Sequence, residues 1–593
     1  MPAHAGVRKV KRTKEEKLAR REKKRRKAEK AGARAHTVEA TAPPLPPSLA
    51  SSTPLPPLSA LRAQFAASQP YLHIQLHDVF GDAALRAVRA ELSSLHRTFK
   101  ETDLFKVWQT GDLGNLDAAD ATHAAALPAT IALRDALYTP AFRAFVRRVT
   151  GCAPLTGQTD CSCNVYARGG HLLCHDDVIG TRCVSYILYL SRPGRQWEPS
   201  LGGALELYAC DADGEPQPAP SACVPPEFGS MVLFAVQPGR SFHAVQEQLG
   251  AQPRLAISGW FHARAPPAGA ETAATLAQLE RRSGGCDDPW ASRAWPSAAG
   301  GAAPALSEAD VRKLAPHVNR AYLTAAAAAA VRAQLAAEGA AQLADFLSPR
   351  LAAPLLRAAA AADASDHAAA GGGGGPDYST GLHRRGWRVV GPPQFQRFLA
   401  HGTRTDDDGD GGDGEDGDGG DGDGGDDGAA GTVGARLEKV RALMRAPAFA
   451  RLIGALSGLA PRRCRSVVRR FRRGLDYTLA HVGTLADAPV VDATLAFVPP
   501  PPKSGARGGA AAARAWDSGD VGGFECFVRK EGDGAAAEVY RADDASAGVT
   551  SVHPVSNALV LALRQPDTMK FVKFVGAAAP GSRWDVAVEY HQS

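Results

Sequence analysis

The chain has 593 residues, 45% hydrophobic and 22% charged, which is ordinary globular usage and excludes a wholly disordered or fibrous protein. No apolar run reaches the roughly eighteen residues of a membrane-spanning helix; the alanine tract 325–330 is closed by Arg332. The formal charge of +6 is segregated: residues 1–36 carry 15 Lys and Arg against 4 acids, while the loop 406–427 is made only of Asp, Glu and Gly and carries 12 acids.

Residues 9–30 form a solvated basic arm, whose functional reading is nuclear import or contact with RNA. Glu15, Glu16, Glu22 and Glu29 precede any Ser, unlike an organelle transit peptide, and no secretory apolar stretch is present. The 10 cysteines are therefore expected as free thiols of a reducing compartment, nuclear and cytoplasmic. Cys161-Ser-Cys163 has no second CxxC or HxxxH partner, which argues against zinc. Residues 1–60 read as a basic tail followed by a Pro-rich linker.

Residues 61–150 read as helical, most plainly at 83–98 and 130–150. From 160 to 262 the pattern changes to short strands (161–167, 183–191, 203–209, 229–236 and 254–262) separated by Gly, Pro or Asp clusters. Residues 265–304 read as a Pro/Ala/Gly-rich linker. A second domain opens with a capping-box-like start at Ser307 and Asp310 and stays helical to about residue 370. It then gives strand-like segments near 386–390, 466–471, 475–483, 522–530, 557–564, 569–575 and 583–590. The acidic insertion 403–430 reads as disordered. Its Asp406, Asp408, Asp410 and Gly411 imitate the start of an EF-hand, but position twelve is Gly417 rather than Glu. Helices followed by strands occur twice, so the expected class is α+β: two domains, 61–264 and 305–593, each a helical layer on a β-sandwich.

The chemistry is carried by His175 and Asp177. Of 17 histidines, His175 alone is followed two residues later by an acid. On an extended segment residues i and i+2 face the same side, so one imidazole and one carboxylate can share a metal. A second histidine would complete the two-His, one-carboxylate set of non-haem Fe(II) oxygenases. His243 fits best, because Arg254 follows eleven residues later on a strand and offers a bidentate fork for a dicarboxylate cosubstrate. His262 has no such cation downstream and reads as a strand-end or core histidine.

His175-x-Asp177, His243 and Arg254, in this order, resemble the Fe(II)/2-oxoglutarate dioxygenases of the prolyl hydroxylase type. The block Tyr166-Ala-Arg-Gly-Gly-His-Leu-Leu-Cys-His175-Asp-Asp177, with Arg182-Cys-Val-Ser-Tyr-Ile-Leu-Tyr189, is similar to the eukaryotic ribosomal prolyl 3-hydroxylases. Phe471-Arg-Arg-Gly-Leu-Asp-Tyr-Thr-Leu, Gly522-Gly-Phe-Glu-Cys and Met569-Lys-Phe-Val-Lys-Phe-Val resemble that family's C-terminal part. Cys183 departs from the pattern, where a second basic residue is expected after Arg182.

The resemblance implies two double-stranded β-helix (jelly-roll) domains, of which only the first is catalytic. It implies that His175, Asp177 and His243 hold Fe(II), that Arg254 pairs with the C5 carboxylate of 2-oxoglutarate, and that Tyr189 and Tyr166 donate hydroxyl hydrogen bonds to it. O2 and ascorbate are the implied oxidant and reductant. The implied substrate is a proline of the small-ribosomal-subunit protein of the decoding centre. A dioxygenase of another substrate class, such as nucleic acid, and a non-catalytic oxygen- or metabolite-sensing regulator stay open beside it. The second domain has no His-x-Asp or His-x-Glu pair. Its Arg472, Arg473, Lys570 and Lys573 could form a basic face toward ribosomal RNA or simply a solvated strand face.

Overall fold

The computed structural model describes residues 45–270, 291–295, 306–369, 375–402, 431–481, 484–498, 515–529 and 549–592. The basic tail, the insertion 403–430 with its EF-hand-like start, and much of the expected linker 265–304 lie outside them.

Local sequence sets the helix boundaries. The stretch 130–150 forms two helices, Pro128–Leu137 and Pro140–Thr150. Pro140 has no amide to donate to a preceding turn, so it starts a new helix instead of continuing one. The Thr139 side chain accepts the Phe142 amide as its cap, and Gly151, at φ 69°, ends it. At Ser307 the expected capping box forms with Asp310 and opens the helix Glu308–Leu314.

The first half is built on an 11-stranded antiparallel sheet. Its strands are β1 (His73–Leu76), β2 (Thr98–Glu101), β3 (Phe105–Gln109), β4 (Cys161–Tyr166), β5 (His171–His175), β6 (Arg182–Tyr189), β7 (Leu205–Leu207), β8 (Ala222–Val224), β9 (Met231–Ala235), β10 (His243–Val245) and β11 (Arg254–His262). The order is β1-β9-β6-β11-β4-β3-β5-β10-β7-β8, with β2 paired only to β3. The region 61–150 is therefore not helical throughout. It contributes β1 and the β2–β3 hairpin, and β3 lies in mid-sheet between β4 and β5, whose ladders outweigh its helical sequence neighbours.

This sheet folds over on itself. Ile187 and Tyr189 of β6, Val232 and Phe234 of β9 and Ala256 of β11 pack with Leu205 and Leu207 of β7 and Val224 of β8. Strands distant along the sheet's path thus face each other across a nearly closed interior. The helices cover the outer face through residues such as Leu61, Phe65, Leu85, Val88, Leu137 and Val146. Leu49 joins this core and Ala50 bridges to Phe80, so residues 45–50 of the expected linker pack with the first half.

The second half has a 9-stranded antiparallel sheet and a 3-stranded one. Helices Ala325–Glu338, Pro349–Ala369, Val433–Met444 and Pro447–Ser457 cover one face of the larger sheet, with Phe346, Leu355, Leu437, Phe449 and Trp584 in the shared core. The smaller sheet (Val549–Val552, Glu525–Arg529 and Thr568–Val572) lies over the other face. Ala291–Ala294, expected as linker, pairs with Arg463–Phe471 at the larger sheet. No helix among the described residues is long and apolar enough to cross a membrane.

The basic face expected on the second half does not form. Arg472 is buried, with its Nε 2.8 Å from Asp476 Oδ2 and its Nη1 on the carbonyls of Tyr378 and Thr380. Lys570 pairs with Asp492 and Glu589, and Lys573 is buried. Arg473 reaches the ring of His367. Arg472, Lys570 and Lys573 are taken by internal acceptors because this strand region is covered on both faces, and only Arg473 of the four stays at the surface.

The halves meet behind β5, β7 and β10. Leu173 of β5 packs with Tyr477, Leu479 and Phe574, and the Phe574 ring lies 4.4 Å from that of His171. Glu206 of β7 accepts the hydroxyls of Tyr208, at 2.7 Å, and Tyr378 of the second half, at 2.6 Å.

Candidate active site

β5 ends at His175 and β10 begins at His243, and the antiparallel register puts the two residues directly opposite each other. Their ring centroids are 4.1 Å apart. Asp177 lies beyond the end of β5, at φ 60°, a left-handed value uncommon for a residue with a side chain. That turn, rather than the strand alternation expected from sequence, brings its carboxylate back against both rings. Oδ1 is 3.4 Å from His175 Nε2, and Oδ2 is 3.5 Å from His243 Nε2. Among the described residues, no other three His, Cys, Asp or Glu side chains bring their ligand atoms within 4.8 Å of one another.

Neighbouring groups fix how these three present themselves. His175 Nδ1 lies 2.9 Å from the Leu173 carbonyl and His243 Nδ1 2.8 Å from that of Ser241. A carbonyl only accepts, so each Nδ1 carries a proton and each Nε2 is the ring nitrogen left facing Asp177, donating to it while protonated and offering a lone pair to a metal once deprotonated. Asp177 Oδ2 accepts from the Ser185 hydroxyl at 2.9 Å and from Trp260 Nε1 at 3.0 Å. The buried Ser241 hydroxyl donates to the Asp176 carbonyl, tying the segments that carry Asp177 and His243 together. Burial alone would raise the Asp177 pKa, but His243 and His175 hold it well below the usual carboxylate range. Burial lowers that of His175, yet the hydrogen bond and charge of Asp177 outweigh it and the pKa is raised.

The triad opens on a cavity of about 240 Å³. Its floor follows from cross-strand register: Arg254 lies opposite Tyr166, Ser258 opposite Ile187, and Trp260 opposite Ser185. Arg254 is 1% exposed, and neither its Nε nor its Nη2 has a hydrogen-bond partner. Its guanidinium sits 4.9 Å from the Tyr166 ring centroid and 5.1 Å from that of Tyr189. Tyr166 lines the cavity; Tyr189 stands beside Arg254 outside the lining, its hydroxyl buried and unpartnered. A buried, unpartnered guanidinium is costly unless an anion completes it. The donor set and this orphaned cation therefore fit Fe(II) and a dicarboxylate together.

Sequence reasoning missed several residues here. Ser185, Trp260 and the hairpin residues Lys100, Leu104 and Phe105 all line the cavity, and Arg182 lies 3.4 Å over the Trp260 ring. Period-two counting from Arg254 would have found Trp260, since even spacing along a strand repeats the face. His262 is buried and bonded to Thr181, Gln158 and Asp160, away from the triad. Burial pushes the thiols of Cys161 and Cys163 up to about 12, as for core cysteines rather than metal ligands. Cys183 packs beside Cys152 at the edge of the helix-covered core and does not line the cavity.

Comparison with known proteins agrees with this geometry. The 2OG-Fe(II) oxygenase superfamily model matches residues 161–262, and the model described as oxoglutarate and iron-dependent oxygenase degradation C-term matches residues 309–593. The prolyl 3,4-dihydroxylase OGFOD1 of Ostreococcus tauri is 37% identical over 530 residues, covering 88% of this chain and 95% of the relative. The prolyl 3-hydroxylase OGFOD1 of Xenopus laevis is 35% identical over 197 residues, 33% of this chain and 35% of the relative. Among solved structures, a Pseudomonas putida prolyl-4-hydroxylase is 24% identical over 35% of this chain and 100% of its own, with a TM-score of 0.24. The family's cofactors are Fe(II), 2-oxoglutarate and O2, and its chemistry is catalytic, which decides against the non-catalytic reading left open by the sequence. The chain belongs to the OGFOD1 family of Fe(II)- and 2-oxoglutarate-dependent prolyl hydroxylases.

Proposed function

We propose that this chain hydroxylates a proline, at C3, of the small-ribosomal-subunit protein of the decoding centre, with His175, Asp177 and His243 as the iron ligands. The observation that carries the ligand assignment is the convergence of both Nε2 atoms and the Asp177 carboxylate on one point beside the unpartnered Arg254. Iron bound there supplies activation of O2, coupled to decarboxylation of 2-oxoglutarate and removal of hydrogen from the prolyl ring.

The protein's own residues do the rest. The carbonyls of Leu173 and Ser241 hold the two imidazoles in the ligating tautomer. Ser185 and Trp260 hold Asp177 Oδ2, keeping the carboxylate oriented before metal arrives. Arg254 would take the C5 carboxylate of 2-oxoglutarate in its fork, with the Tyr166 hydroxyl, and the Tyr189 hydroxyl beside Arg254, as further donors. The apolar walls, Val107, Leu172, Ile187 and Val245 among them, keep water from the reacting carbon.

The reading extends to the rest of the chain. Residues 61–264 would be the catalytic jelly roll and 305–593, joined by the strand Ala291–Ala294, a second jelly roll without a metal centre. The basic tail 1–36 would contact ribosomal RNA or an import factor and give access to the nucleus as well as the cytoplasm; deleting residues 1–36 without changing nuclear distribution would refute this. Ascorbate would serve as reductant. The test of the whole is incubation with Fe(II), 2-oxoglutarate, ascorbate and a peptide from the decoding-centre loop, followed by mass spectrometry. One added oxygen on proline, absent with His175→Ala, is expected. Succinate release without peptide oxidation would overturn the substrate.

A further inference from the structure

The tip of the β2–β3 hairpin is held from the other half of the molecule. Lys573, just past the strand Thr568–Val572, is 2% exposed. Its Nζ donates to the Thr102 carbonyl and lies 3.5 Å from Glu101 Oε1. Next to it, Asp103 Oδ2 accepts the Ala480 amide at 2.9 Å, and Leu104 packs on the cluster of Leu173, Tyr477, Leu479 and Phe574. Glu101, Thr102, Asp103 and Leu104, four successive residues, therefore all take partners in the second half.

Within the hairpin, β3 is anchored between β4 and β5, but the outer strand β2 and the turn have little else to hold them. β4, β5, β10 and β11 each have a strand on both sides, whereas β2 pairs only with β3. Inside the turn, Thr102 bonds to Phe105 and its hydroxyl accepts the Leu104 amide. Yet the inner side of this hairpin, Lys100, Leu104 and Phe105, is a wall of the catalytic cavity. A buried ammonium has a fixed set of acceptors and tolerates little displacement. We propose that Lys573 is a positioning residue: from the second half it clamps the β2–β3 hairpin and so shapes the wall against which the polypeptide substrate lies. This rests on the prolyl hydroxylase reading of the cavity, and it gives the second half a part in recognising substrate. The residues assigned to iron and 2-oxoglutarate lie on or just beyond strands supported on both sides, so the clamp acts on the polypeptide alone.

The test uses the full-length chain carrying Lys573→Met, which keeps the volume of the side chain. Hydrogen exchange of residues 98–104 should accelerate, and KM for the decoding-centre peptide should rise about tenfold, the scale expected when a wall shifts by a fraction of an ångström. KM for 2-oxoglutarate should stay at the wild-type value. Unchanged exchange in the hairpin, or equal rises in both KM values, would overturn the proposal. If Lys573→Met does not fold, Asp103→Ala removes the neighbouring tie and is read in the same way. Should the wild type fail to oxidise the peptide, the substrate reading falls, and the exchange of residues 98–104 alone decides the clamp.

Discussion

Each half of the molecule holds buried acids around a cavity of similar size, about 240 Å³ in the first and 270 Å³ in the second. In the first, Asp177 is held by neutral donors, Ser185 and Trp260, and faces the Nε2 atoms of two imidazoles. In the second, each buried acid meets cations. Asp492 pairs with Arg564 and Lys570, Glu589 with Arg465, Arg564 and Lys570, and Asp585 with Arg469 and Arg583. A carboxylate neutralised by guanidinium has no charge to offer a metal, whereas one supported by hydroxyl and indole N–H keeps it. The same residue type is left free for a ligand role in one half and tied up as a structural ion pair in the other because of what surrounds it.

Substitutions break this comparison at different points. Asp177→Ala should reduce succinate and hydroxyproline formation to background while leaving the melting transition nearly unchanged, since the halves' cores are untouched. Arg564→Met should do the reverse. It removes the guanidinium shared by Asp492 and Glu589, leaving the first with Lys570 and the second with Lys570 and Arg465, and should cost about 1–3 kcal/mol of stability, read by chemical denaturation, with iron binding intact in the folded fraction. Arg254→Met should raise KM for 2-oxoglutarate by about 10²-fold through loss of a charge-assisted bidentate pair, while iron affinity in the absence of cosubstrate stays the same.

Smaller effects sharpen it. Trp260→Phe removes one donor to Asp177 and should weaken iron affinity by about tenfold, measured by competition with a chelator. The weakest effect is on pH dependence. Burial raises the Glu589 pKa, but Lys570, Arg465 and Arg564 together hold it well below the usual range. A carboxylate depressed on folding stabilises above its unfolded pKa of about 4.3 and loses that contribution as pH falls toward the folded value. Thermal scans from neutral pH downward should show this acid limb, and Glu589→Gln should flatten it.

The site was more legible in the sequence than the architecture around it. His175, Asp177, His243 and Arg254 could be read because the spacings between them are local signals, although a left-handed turn rather than strand alternation places Asp177, and the structure brings all four to one cavity. The β2–β3 hairpin was not legible, because its short alternating stretch lies between two helical regions and its pairing with β4 and β5 is distant in sequence. Lys573 was misread as surface for the same reason: its acceptor is 471 residues away. Helices Val433–Met444 and Pro447–Ser457 escaped notice among strand-like neighbours, though Thr432 caps the first and Pro447 opens the second. Burial on both faces of a strand cannot be seen from its own alternation, and the inward-facing arginines of the second half follow from it.

The most direct test of the account is anaerobic titration of the full-length protein with Fe(II) in the presence of 2-oxoglutarate, following the visible charge-transfer band. The account predicts one iron per chain, lost in His243→Ala and retained in Asp492→Asn. Two irons per chain, or one that survives His243→Ala, would contradict it.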